Sequence, residues 1–387
     1  FAKEFINYKW LLICDEETRI DVQKLLMMLR KYDHTKEYFL GKALRDRSPT
    51  IIHHFAFIED TSKFAYPDIG AGILLSHPLF TRVGEAWEKD TSTNSGFAID
   101  PKHELAKFIY DDGKGVSLTE VQELCTYDIS KDCATSYPIR FPDCGKEVSE
   151  DDLFVGVKTC EKFHKDRAQF VKETWGKDAK HIEYYSEKED PTIPTVNLGV
   201  PNTERGHCGK TMAMLQRWHD NPKLSHHSWY LIADDDTIIN LKRLRKLLSC
   251  YDADEPVHLG EVYGYQVSKN NWGYTYITGG GGMIFSREAI KRMVRENMVY
   301  CTSDDAPDDM GLGMRFKRMG IPLVHSPYFH QARPEDYSED FLKARTALSF
   351  HKHWNNDPLA VYKLLMKDDV NSSTTKNKNG KNKHEEL

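Results

Sequence analysis

The sequence predicts an α/β protein of two tandem Rossmann-like units, the first degenerate and truncated at its amino end. Three observations predict it. At 387 residues the chain exceeds what one hydrophobic core usually holds, so two domains of ordinary size are expected. Apolar runs of strand length end in acids and lead into amphipathic helical segments. The chain also repeats itself at a shift of 219 residues. Trp10-Leu11-Leu12-Ile13-Cys14-Asp15-Glu16-Glu17-Thr18 lies on Trp229-Tyr230-Leu231-Ile232-Ala233-Asp234-Asp235-Asp236-Thr237. Without a gap, Leu25, Leu29, Tyr32, Asp33, Leu40 and Gly41 then fall on Leu244, Leu248, Tyr251, Asp252, Leu259 and Gly260. Twelve of thirty-two aligned positions are identical, where ordinary residue frequencies give about two.

Each copy reads as a strand closing on acids, an amphipathic helix, and a second strand reaching a glycine. The second copy then runs through Tyr274-Thr275-Tyr276-Ile277-Thr278 into four glycines and Met283-Ile284-Phe285; the first has Ile69-Gly70-Ala71-Gly72-Ile73-Leu74-Leu75. Ahead of its acids the second copy carries a long segment beginning at Asp152, whereas the first has only the residues before Trp10. The first unit is therefore expected to lack its front half. The start at Phe1, without Met or signal peptide, is expected to reflect removal of upstream residues. The expected organisation is a degenerate unit at 1–124, a Cys- and Pro-rich linker at 125–150, a catalytic unit at 151–366 and a disordered tail at 367–387.

Composition narrows the class. Hydrophobic residues at 40% and charged residues at 29% fit a folded chain, and no apolar run reaches the length of a membrane span. A net charge of -6 gives no general field for nucleic acid. The eight cysteines lack paired CxxC spacing, so disulfides or buried thiols remain, with connectivity open. The sequon at Asn371 and the closing His384-Glu385-Glu386-Leu387, a variant of the KDEL-type address, point to the endoplasmic reticulum lumen and a KDEL-type retrieval receptor.

Asp234, Asp235 and Asp236 close a buried strand at the edge where open α/β sheets bind ligands. Clustered carboxylates suit Mn²⁺ or Mg²⁺, which also ligate a diphosphate; alone, such a triplet is ordinarily a solvated turn or helix cap. Its company is Gly279-Gly280-Gly281-Gly282, which admit close approach, and the loop Ser303-Asp304-Asp305-Ala306-Pro307-Asp308-Asp309, which opens a helix and offers a general base. His325, His330, His351 and His353 supply imidazoles for a metal shell.

Over most of residues 151–360 these segments resemble the fringe-type β-1,3-glycosyltransferases of the GT-A fold. The resemblance rests on Val157-Lys158-Thr159 with Phe163-His164 and Glu173-Thr174-Trp175, His207-Cys208-Gly209-Lys210-Thr211-Met212-Ala213, and Asp234-Asp235-Asp236. It continues through Thr278 to the four glycines, Pro307-Asp308-Asp309 with Gly311 and Gly313, and His325-Ser326-Pro327-Tyr328-Phe329-His330. The duplicated first half and the HEEL end narrow it to the branch that adds glucose to O-linked fucose on thrombospondin type 1 repeats. The resemblance implies tandem GT-A-like domains, an inverting transfer from UDP-glucose, and Mn²⁺ at Asp236 completed by His351, preferred over His353. It implies Asp309 as base with Asp308 as fallback, and donor contacts from Asp234, Asp235, Lys158, Thr159, Gly280 and Gly281. From the residues alone the donor stays open among glucose, galactose and N-acetylglucosamine, and a sugar-binding quality-control module without catalysis is the alternative class. The first copy, with Asp15-Glu16-Glu17, Gly70-Ala71-Gly72 and Ile99-Asp100-Pro101-Lys102-His103-Glu104, lacks the Asp-Asp pair and is expected to be a non-catalytic copy used for acceptor recognition or for stability.

Overall fold

The computed structural model describes residues 7–89, 96–137, 141–267, 273–351 and 356–367. His353, the sequon at Asn371 and the HEEL end lie outside the described residues. The expected α/β architecture is present as two principal sheets. In the first, β1 (Trp10–Ile13), β2 (Phe39–Gly41), β3 (Ile73–Ser76) and β4 (Thr119–Glu120) take the order β1-β3-β2-β4. In the second are β5 (Leu153–Lys158), β6 (His181–Tyr185), β7 (Thr195–Val196), β8 (Trp229–Asp234), β9 (His258–Gly260), β10 (Met283–Ser286) and β11 (Val324–His325). Their order is β7-β6-β5-β8-β10-β9-β11.

The last four strands of the larger sheet run in the same order and directions as the whole of the smaller one. β1 pairs antiparallel with β3, β3 antiparallel with β2, and β2 parallel with β4. β8, β10, β9 and β11 do likewise. Trp10 stands opposite Ser76 as Trp229 stands opposite Ser286. Each serine hydroxyl accepts from the backbone just before the neighbouring strand, Tyr38 N at 2.8 Å and Val257 N at 2.9 Å. The helix after the acids is capped the same way: Asp21 accepts from Lys24 N for α1 (Val22–Leu29), and Asn240 from Arg243 N for the helix Leu241–Leu248. Where the larger sheet continues into β5, β6 and β7, the smaller one has no further strand beside β1 among the described residues, and β1 is half-buried.

Period-two alternation builds the core around the larger sheet. Val155, Val157, Leu231 and Ala233 face one layer; Phe154, Tyr230 and Ile232 face the other. Helices cover both faces, so these strands read as nearly unbroken apolar runs. Gly156 is required there, because a Cβ would stand 2.5 Å from the Trp218 ring.

Six of the eight cysteines pair, as Cys125–Cys133, Cys144–Cys250 and Cys208–Cys301; Cys14 and Cys160 are free thiols. The segment expected as linker is ordered in part: Thr135–Ser136 pairs with Arg19–Ile20, and Cys144 ties its far end to the end of the helix Leu241–Leu248. The halves are joined by a ladder and an ion pair. The strand Phe97–Ala98 pairs with Val262–Tyr265, which pairs in turn with Tyr274–Ile277. Arg345 reaches Asp68 at 3.1 Å with both side chains buried. Removing one member of a buried pair strands the other charge. Arg345→Ala is expected to lower the unfolding free energy by about 3–5 kcal/mol, read as a shifted urea midpoint, and Asp68→Asn in the same chain to restore part of it.

Candidate active site

Three element ends meet at the carboxyl edge of the larger sheet. Lys158 closes β5, Asp234 closes the adjacent parallel β8, and Asp308 opens α2 (Asp308–Arg318). Lys158 is buried, and its Nζ lies 2.6 Å from Asp308 and 3.1 Å from Asp234. Thr211, on the helix Cys208–Asp220, donates to the same Asp308 oxygen at 2.5 Å. Burial by itself would raise the Asp308 carboxyl, but the Lys158 charge and these hydrogen bonds bring it down to about 2. Among the described residues Asp309 has no such cation paired with it. Burial, then the neighbouring Asp308 charge, push it up to about 6. Its Oδ2 accepts from Gly279 N at 3.3 Å.

The acid triplet divides by role. Asp235 accepts from Thr159 Oγ1 at 2.7 Å, and burial pushes its carboxyl up to about 7. Asp236 faces His351, with Nε2 to Oδ1 at 2.9 Å, and Asp234 stands 3.9 Å from the same nitrogen. Burial would lower the His351 imidazole, but the Asp236 charge raises it above its usual value. Asp234, Asp236 and His351 bring one ligand atom each within 4.8 Å of one another. Two carboxylate oxygens and an imidazole nitrogen suit Mn²⁺, and this donor set fits the expected ion.

The glycine run holds the histidine. A Cβ at Gly280 would lie 2.2 Å from His351 Nδ1, so only glycine lets the ring sit there. Thr237 Oγ1 donates to Gly280 O at 2.8 Å, Ser349 Oγ to Gly281 O at 2.6 Å, and Gly281 N to the Gln331 side chain at 2.9 Å. The run thus links the imidazole at Gly280 with Asp309 at Gly279.

Of the residues expected at the site, the structure brings together Lys158, Thr159, Asp234, Asp235, Asp236, Gly280, Gly281, Asp308, Asp309 and His351. Lys158 and Thr159, expected to contact the donor, have carboxylates as partners. His325 and His330 lie elsewhere: His325 accepts from Val262 N, while His330 stacks on Phe350 and bonds Ser349 O, its imidazole pushed by burial down to about 3. Arg167 was not expected. Its Nη1 lies 3.0 Å from Asp236 Oδ2 and 3.5 Å from Asp235 Oδ1, and its guanidinium covers the Phe163 ring at 3.9 Å. Nothing in the local pattern of residues 164–168 marks a partner near residue 236. Thr211 sat in a recognised motif without a role, which only its contact with Asp308 supplies.

The first half repeats the frame with other contents. Thr18 Oγ1 donates to Gly70 O at 3.0 Å as Thr237 does to Gly280, and Thr135 Oγ1 donates to Ala71 O at 2.6 Å as Ser349 does to Gly281. One step beyond the Arg19–Ser136 pair stands Tyr137, packed on Gly70 where His351 packs on Gly280. The Arg345 guanidinium lies 4.9 Å from the Tyr137 ring and beside Gly70. A separate cleft of about 490 Å³, between Ser149, Trp229 and Tyr251, lies at the opposite end of β8 and holds none of the site residues.

Comparison with known proteins matches the chain to the fringe-like family over residues 2–104 and 148–371. It is 54% identical over 356 residues to the beta-1,3-glucosyltransferase of Homo sapiens, covering 92% of this chain and 70% of that protein. The Mus musculus beta-1,3-glucosyltransferase is 52% identical over 358 residues, covering 92% and 72%. The beta-1,3-N-acetylglucosaminyltransferase manic fringe of Danio rerio is 27% identical over 203 residues, covering 46% and 55%.

The crowding at Gly280 generates a direct expectation. Gly280→Ala displaces the His351 ring from Asp236 and weakens Mn²⁺ binding by about ten- to a hundredfold, measured by calorimetric titration of the folded protein.

Proposed function

This chain belongs to the fringe-like family and is a β-1,3-glucosyltransferase, and from that premise we propose that it moves glucose from UDP-glucose to the 3-hydroxyl of O-linked fucose on thrombospondin type 1 repeats, with inversion. The observation that carries the mechanism is the division of Asp308 from Asp309. Asp308 already accepts from Lys158 and Thr211 and is a weak base at about 2. Asp309, at about 6, lines a cleft and is both ionised near neutrality and basic enough to take a proton. Asp309 accepts the proton of the acceptor hydroxyl. The freed oxygen forms its bond to the anomeric carbon as the bond from that carbon to the diphosphate breaks on the opposite face, releasing UDP.

A divalent ion, Mn²⁺ or Mg²⁺, would be held by Asp234, Asp236 and His351 and supplies positive charge for the departing diphosphate. Lys158 positions: it keeps Asp308 ionised and ties the start of α2 to the acid strand. Gly279 N orients the Asp309 carboxylate, and Thr159 orients Asp235. Donor contacts are proposed for Gly280 and Gly281, beside this cluster.

The first half is proposed to be a degenerate, non-catalytic GT-A-like copy. Supporting this, Tyr137 stands where the second half has His351, and Arg345 places a fixed cation beside it. The acceptor reading rests on the fringe-type motifs, the duplication and the HEEL end. The three disulfides fit an oxidising compartment, in keeping with a proposed location in the endoplasmic reticulum lumen, retrieval by a KDEL-type receptor and glycosylation at Asn371.

UDP release from UDP-glucose with an O-fucosylated repeat and Mn²⁺ tests the reading. Asp309→Asn is expected to lower kcat by about 10²- to 10⁴-fold, and Asp236→Asn to abolish the metal-dependent rate; parent-like activity in both refutes the assignment. Because a protonated Asp309 cannot accept the hydroxyl proton, kcat/KM is expected to fall as pH drops below about 6, and the small residual rate of Asp309→Asn to lack that limb. Asp15→Ala is expected to leave turnover nearly intact; a drop of about tenfold, or 1.4 kcal/mol of barrier, would contradict the non-catalytic copy.

A further inference from the structure

Beside Asp309 opens a cleft of about 140 Å³ whose walls come from both halves of the chain. It is smaller than the roughly 300–1,000 Å³ clefts that take drug-sized ligands, a scale suited to one monosaccharide. The catalytic half contributes Ala332 together with the polar groups and rings of Asp309, Thr278, Gln331, Tyr263 and Tyr276. Thr278 Oγ1 is buried and has no hydrogen-bond partner among the described residues. The first half contributes only apolar side chains, Ile51, Ile52, Phe97 and Ile99.

That apolar wall is rigidly built. His53, next to Ile52, is buried and bridges Asp46 at 2.6 Å and Asp100 at 3.1 Å; Asp100 is next to Ile99, so one imidazole holds the two isoleucine segments together. His103 stacks on His53 with centroids 3.9 Å apart, and Lys102 donates to Asp100 at 2.6 Å. His54 Nε2 contacts Phe97 O at 3.0 Å, and Phe97–Ala98 is clamped to Val262–Tyr265 by the interdomain ladder. His54, Phe55 and Phe57 all take left-handed backbone, which side chains other than glycine adopt at a cost of about 1–3 kcal/mol each. The contacts of the buried His53 with Asp46 and Asp100 hold this wall.

We infer that the first half completes the acceptor site, and that Ile51, Ile52, Phe97 and Ile99 receive the apolar C6 methyl of a 6-deoxyhexose while Asp309 meets a hydroxyl across the cleft. The inference rests on the transferase reading for the identity of the acceptor, but the wall is a binding surface and is tested by binding. An aldohexose differs from its 6-deoxy analogue by one hydroxyl at that carbon, so an apolar wall there selects the deoxy sugar by leaving the added hydroxyl without a partner.

The test uses the full chain with UDP and diamagnetic Mg²⁺, titrated with methyl α-L-fucopyranoside or its 6-hydroxylated counterpart, methyl α-L-galactopyranoside, and followed by saturation-transfer NMR. In the parent, saturation is expected to fall most strongly on the C6 methyl, and the fucoside to bind more tightly than the galactoside. Phe97 and Ile51 are 42% and 39% exposed, so Phe97→Ala and Ile51→Ser are expected to fold. Each is expected to weaken fucoside binding about fourfold or more, the loss of one buried methyl contact, and to bring the two sugars closer in affinity. Each variant is expected to keep the parent's urea midpoint, which shows that the fold is intact. Parent-like fucoside affinity in both variants, or saturation confined to ring protons, overturns the inference. Fucoside binding as expected, with no glucose transferred by the parent, upholds the wall and refutes the transferase reading instead.

Discussion

The site depends on one buried cation. Lys158 sits between Asp234 and Asp308 in a place where two carboxylates from distant parts of the chain would otherwise face each other in a medium that screens poorly. Its charge lets Asp308 remain ionised although buried. The Asp308 charge in turn helps burial lift Asp309 into the range of a useful base. Three elements are placed by the same contact: the end of β5, the end of β8 and the first turn of α2. Tertiary geometry and proton affinity therefore share a cause.

The two sheets show how one frame carries different contents. Strand order, the Trp–Ser register, the serine-to-backbone bond, the helix cap and the threonine-to-glycine bond occur in both halves. These are backbone and capping interactions, and they survive changes in the side chains that carry chemistry. At the tip of the frame the second half gathers two carboxylates and an imidazole that suit an exchangeable ion. The first half has Tyr137 there, and a guanidinium delivered from the other half. A cation that is part of the chain cannot leave, so the place that suits a metal in one half serves as a joint in the other.

Much of this was legible in the residues. Period-two apolar runs ending in acids locate β1 and β8; the shift of 219 residues relates them; and acids at a strand's carboxyl end, with glycines after a later strand, mark the ligand edge. His351 stands 2.9 Å from Asp236, and Asp308 and Asp309 shift in opposite directions, while His353, the other histidine expected there, lies outside the described residues. What could not be read involves pairs with no periodic relation. Arg167 against Asp236, Thr211 against Asp308, Cys144 with Cys250, and Ile52 beside Ile99 join segments whose separation carries no pattern.

The sequence by itself determined the class of fold, the internal repeat and the residue types able to hold a cation and take a proton, because strand and helix periodicity and acid clustering are local properties of a chain. Only the tertiary structure decided which aspartate is paired with Lys158 and which burial pushes up, that His351 faces the acids, and that the first half closes a wall of the cleft. Each of those outcomes depends on burial and on charges brought together from distant segments, and neither exists until the chain has folded.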